Sequence, residues 1–127
     1  IAQSIWEPPH IPAKYKSDIY SFMIAKVMPS LRRCLTENGY NFDEDHDSKK
    51  DGQRFHLLIA CNGELFDIDQ ELSVSRSELG IYTAGSGGEY AMGAILAGAD
   101  PMEALRIAAK VSAFTAPPFY SIKQYKK

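Results

Sequence analysis

Residues 85–88 read Gly-Ser-Gly-Gly, and they follow a short apolar stretch and precede a run of small residues. A glycine-rich turn at the start of a helix leaves backbone N–H groups free and aims the helix dipole at whatever lies in front of it, so it favours anions and developing negative charge. Dinucleotide binding would need a third glycine where Tyr90 stands, and a phosphate-binding loop would need a Lys-Ser/Thr pair that is missing here. Ala84-Gly85-Ser86-Gly87-Gly88 also approximates the serine elbow G-x-S-x-G. That motif needs a histidine after the serine, whereas His10, His46 and His56 all precede it. A plainer reading is a tight turn whose glycines let helix pack on strand.

Acidic residues alternate in 41–52, where Asp43, Asp45 and Asp47 match the first three ligand positions of a calcium loop. Position six is then Ser48 instead of the turn glycine, and position twelve is Arg54 instead of a bidentate glutamate. The segment reads as a solvated hairpin loop. Cys34 and Cys61 are far apart and form no C-x-x-C pair, which suits reduced thiols and a cytoplasmic setting.

The elements that must position these residues can be read from turn and cap chemistry. Residues 1–16, with Pro8, Pro9 and Pro12, predict an irregular segment after a short apolar patch at Ile5 and Trp6. A helix starts at Ser17 or Asp18, buries Tyr20, Ile24, Val27, Met28, Leu31 and Leu35, and stops at Asn38-Gly39. Pro29 inside that pattern predicts a kink, or a second start capped by Ser30.

Asn62-Gly63 between residues 55–61 and 64–69 predicts a two-residue hairpin, because a type I′ turn needs positive φ at both central residues. Residues 72–78 read as a polar connection and 80–84 as a third strand. A small-residue helix over 88–97 ends at Gly98. Asp100-Pro101-Met102-Glu103 then opens a second helix, predicted to reach Phe114, with a last edge strand over 119–125.

In this order the motifs resemble a known family. "GIYTAGSGGEYAMGAILAGADPMEALRIAAKVSAFT", preceded by "LRRCL" and "LLIACNGELFDID", is similar to the second half of HslV-type peptidase subunits and proteasome β-subunits, and the likeness spans about four fifths of the chain. It implies an α+β fold, part of the αββα sandwich of N-terminal nucleophile (Ntn) hydrolases, with an antiparallel sheet and packed helices. Residues 1–127 then form one domain, the C-terminal part of such a unit.

The family's nucleophile is a terminal threonine, which uses its own amine as base. Ile1 is no nucleophile and no "TT" strand is present, so the resemblance implies a portion that is inactive alone. Ser86 matches the serine that orients the amine. Ala109, Ser112 and Thr115 match positions whose carbonyls hold a monovalent cation, the sole candidate cofactor, with none required for the chemistry. The implied partners are a peptide substrate, copies of the same chain or a separate N-terminal segment, and an ATPase. A noncatalytic assembly module with the same fold is the competing expectation.

Composition narrows the classes further. With 127 residues, 45% of them hydrophobic, and a net charge of −2, the chain suits one globular domain. No basic stripe interleaved with aromatics provides a nucleic-acid footprint. The longest nearly apolar run, 91–99, is far shorter than the roughly 20 residues of a membrane-spanning helix.

Overall fold

The computed structural model describes residues 4–42 and 56–124. The calcium-loop candidates Asp43, Asp45, Asp47, Ser48 and Arg54 lie outside the described residues, as do His46, Phe55 and Tyr125. Among the described residues, a helix and a three-stranded antiparallel sheet share one core, and two further helices form a hairpin with a smaller core of its own.

After a 3₁₀ turn at Ala13–Tyr15, helix α1 (Ile19–Phe22) begins at Asp18, whose carboxylate accepts the Ser21 N–H at 3.1 Å and its hydroxyl at 2.6 Å. These two donors hold the Asp18 carboxyl below its ordinary pKa. The helix continues through a π-helical segment, Met23–Val27, into α2 (Met28–Glu37). Pro29 produces no second capped start, because Val27 and Met28 keep helical φ/ψ and the helix runs on without a break; the π turn covers the residues whose carbonyls the missing Pro29 N–H would have bonded. Ser30 is not a cap either; its hydroxyl accepts the Trp6 indole N–H at 3.0 Å and ties the N-terminal segment to the helix.

The π turn also corrects the predicted apolar face. One extra residue in the turn rotates everything before it, so Ile19, Phe22 and Met23 are buried while Ile24 is 50% exposed and Tyr20 is only partly covered. Beyond the turn, Val27, Met28, Leu31 and Leu35 are buried as the spacing predicts. The helix ends as Asn38-Gly39 require. Gly39 takes φ +95°, and its N–H and that of Tyr40 return to the carbonyls of Thr36 and Leu35.

Strands β1 (Leu57–Cys61) and β2 (Glu64–Ile68) pair about Asn62 and Gly63, whose φ values are +49° and +87°. The third strand is not the predicted 80–84. It is β3 (Val74–Arg76), inside the segment read as a connection, and it pairs antiparallel with β2. Asp69 makes this possible: its carboxylate takes the N–H groups of Glu71 and Ser73, closing a loop that turns the chain straight back. Residues 80–84 form no ladder; Ser77 Oγ bonds both the N–H and the carbonyl of Ile81 and pulls the chain out of the sheet.

Helix α3 (Gly88–Leu96) closes on Gly98, at φ +112°, with the N–H groups of Gly98 and Ala99 returned to the carbonyls of Ile95 and Ala94. Helix α4 (Pro101–Val111) starts as predicted, with Asp100 accepting the Glu103 N–H at 2.9 Å. It stops three residues before Phe114, because Ser112 leaves the helical region and its hydroxyl captures the Phe114 N–H. No strand follows in the described part of 119–125. Gln124 instead reaches the hairpin tip, donating to the Ala60 carbonyl at 2.7 Å and accepting the Gly63 N–H at 3.1 Å.

Candidate functional site

The Gly-Ser-Gly-Gly turn connects residues 81–84 to the start of α3, where Gly87 is the residue before the helix and no side chain caps it. Gly85 sits at φ +93°, a conformation that L side chains avoid. Gly87 is required for space: a Cβ there would overlap Thr115 Oγ1 and come within 3.2 Å of the Ala108 Cβ. The glycines thus let the turn lie directly on the C-terminal end of α4.

This close approach brings together two residues that stand 29 positions apart. Ser86 Oγ lies 3.5 Å from Thr115 Oγ1, at the outer limit of a hydrogen bond, and Ser86 is exposed. Both line a cleft of about 470 Å³ between the turn, α3 and α4, together with Tyr82, Gly87, Ala108 and Phe114. Its walls are mostly apolar, and the Ser86 and Thr115 hydroxyls are among its few polar side chains.

What this arrangement can do is to hold and orient. The partner of the Ser86 hydroxyl is a second hydroxyl and no basic nitrogen, so Ser86 has no base to take its proton among the described residues. His56 faces Asp67 instead. Among the described residues, no histidine stands with Ser86 to make a serine elbow.

Of the other predicted positions, Ala109 is half-buried near the end of α4, Ser112 is buried just past it, and Thr115 reaches back to Ser86. The Ala109 carbonyl falls in the last turn, where the helix that would have bonded it stops. The Ser112 carbonyl accepts the Thr115 N–H at 3.3 Å, which leaves one lone pair for a cation. A weakly held monovalent ion suits such neutral carbonyl donors.

A polar cluster next to the cleft is not legible in the sequence. Asp67, 9% exposed on β2, accepts the Tyr82 hydroxyl at 2.7 Å through Oδ2. His56 Nε2 stands 3.0 Å from Oδ1 but out of line for a hydrogen bond, and so Oδ1 stays buried without a donor. The hydrogen bond to the carboxylate pushes the Tyr82 phenol pKa up, with desolvation and the carboxylate's charge adding to it. The 15 positions between Asp67 and Tyr82 carry no local signal for this pairing.

No protein-family model, characterised protein or solved structure matches this chain. Its functional reading rests on its own motifs and on this geometry.

Proposed function

We propose that this chain is the C-terminal portion of a threonine-type peptidase subunit of the proteasome and HslV kind, with the αββα sandwich as its complete fold. Its part is to support a terminal nucleophile. One observation carries the reading: Ser86, matched to the amine-orienting serine, and Thr115, matched to a carbonyl donor of the cation site, lie in the lining of one cleft with their hydroxyl oxygens 3.5 Å apart.

In the complete enzyme, the terminal hydroxyl attacks a peptide carbonyl while the terminal amine takes its proton. The amine gives that proton to the leaving peptide nitrogen as the amide bond breaks, the acyl group stays on the hydroxyl oxygen as an ester, and water, deprotonated by the same amine, hydrolyses it and regenerates the hydroxyl. The Ser86 hydroxyl would hold that amine in place, and the exposure of its side chain gives it room to do so. The carbonyls of Ala109, Ser112 and Thr115 would hold a monovalent cation at the end of α4, fixing the backbone behind the turn. The setting proposed is cytoplasmic, consistent with Cys34 and Cys61 both being free thiols. Among the described residues, no helix is long and apolar enough to cross a membrane.

The test uses the complete coding sequence. The product, treated with a peptide epoxyketone that needs a terminal amine beside a hydroxyl, should be labelled on a processed threonine and should cleave fluorogenic peptides. The 127-residue chain alone should show no turnover. Cleavage by that chain that disappears in Ser86→Ala would establish the elbow instead. A complete product with no processed nucleophile leaves the assembly module as the function.

That second reading has its own observation. Val111, Phe114, Tyr120 and Ile122 are exposed on the C-terminal side, with Phe114 at 87% and Ile122 at 96%. Exposed apolar side chains that gather into one patch mark contact surfaces, and these four lie within twelve positions of one another. Both readings place the chain in an oligomer of identical subunits, or in a complex with an N-terminal segment and an ATPase. Light scattering of the chain should show association, and a monodisperse monomer at high concentration would refute it.

A further inference from the structure

The α3–α4 hairpin and the sheet have separate cores, so something else must set the Ser86 turn in its place relative to the sheet. Residues 81–84, which lead into the turn, contribute no ladder hydrogen bonds. Two side-chain ties between the two parts stand out. One is the Tyr82 hydroxyl on Asp67, just before the turn, and the other is Gln124 on the hairpin tip, beyond α4.

The first tie is the stronger. Asp67 lies on the central strand between Phe66 and Ile68, both fully buried, so its carboxylate is attached to the best-packed part of the sheet. A buried carboxylate needs donors, and Tyr82 is the one hydrogen-bond donor to its side chain among the described residues. The bond is short, at 2.7 Å, and its acceptor is charged, which makes it stronger than a neutral pair. Tyr82 also lines the cleft, four positions before Ser86.

We infer that Tyr82 is a positioning residue: through its hydroxyl on the buried Asp67 carboxylate it fixes the segment that enters the Ser86 turn, and with it one wall of the cleft. Its importance for activity rests on the peptidase-support reading; the tie itself does not depend on it.

Amide hydrogen exchange on the whole chain tests it. In Tyr82→Phe, the hydrogen-bonded amides of Gly88 and Ala91 should exchange about ten-fold faster or more, while those of Ile59, Phe66, Leu31 and Leu35 keep their wild-type rates. In Asp67→Asn, which keeps an acceptor oxygen for the phenol, Gly88 and Ala91 should stay within about three-fold of wild type. Unchanged exchange at Gly88 and Ala91 in Tyr82→Phe overturns the inference. An equal acceleration at every amide also overturns it, since that would mean a purely structural bond. Neither result bears on the epoxyketone labelling, so failure of the tie and failure of the peptidase reading are separately visible.

Discussion

Beneath the sheet, Phe22, Met23 and Leu31 pack against Phe66 and Ile68 with 2% exposure or less, whereas α3 and α4 meet through Ala91, Ala104 and Ala108. Large side chains remove much apolar area from water, at about 25 cal/mol per Å², and dominate stability. Alanines remove little, but they let two backbones come close, and the Ser86 turn depends on that closeness to reach Thr115. Strength and proximity are thus supplied by different regions. The candidate site is built on the one with less to hold it.

The largest way to break this contrast is Phe66→Ala. It should lower the stability of the sheet and its helix by roughly 3–5 kcal/mol, the usual cost of a buried phenylalanine. Chemical denaturation should show the transition of the sheet and its helix at a lower midpoint; a loss under 1 kcal/mol would show that the two cores contribute alike.

Gly87→Ala comes next, at about 1–3 kcal/mol, because the new methyl pushes Thr115 and meets Ala108. Its effect should be confined to α3 and α4 by hydrogen exchange, and it should separate the Ser86 and Thr115 hydroxyls. Exchange accelerated equally beneath the sheet would mean that the two regions unfold as one.

Asp100→Ala removes the cap of α4 and should cost about 1 kcal/mol, again within the helical hairpin. Thermal unfolding checks it, and a neutral result would show that Pro101 alone sets the start. Ser86→Ala is the smallest: an exposed hydroxyl with a partner at 3.5 Å should change stability by less than about 0.5 kcal/mol. A loss near 1 kcal/mol would assign the hydroxyl to the turn and withdraw it from the site.

Local signals account for most of what the sequence made legible. Asn62-Gly63, Asn38-Gly39, Gly98 and Asp100-Pro101 act on neighbouring backbone, so their effects could be read in place. The turn at 85–88 was legible for the same reason. β3 was not, since Val74–Arg76 is only three residues long and owes its existence to the loop closed by Asp69 and to pairing with β2. The segment 80–84 has the composition of a strand, but Ser77 takes up the Ile81 backbone first. Tyr82 meeting Asp67 is a contact between parts of the chain brought together by the fold alone.

The π turn at Met23–Val27 has a genetic consequence. Ile19, Met23, Val27, Leu31 and Leu35 are spaced four apart, and at about 100° per residue each such step drifts about 40° around a regular helix. The wider turn offsets part of that drift, so the segment behaves like an insertion already accommodated by the gene. A single in-frame codon deletion within 23–27 would restore regular winding and leave the residues on either side facing nearly the same way, whereas a deletion within 31–35 would swing one side by about 100°. Loss of one codon within 23–27 should therefore be tolerated far better than loss of one codon in the regular part of α2.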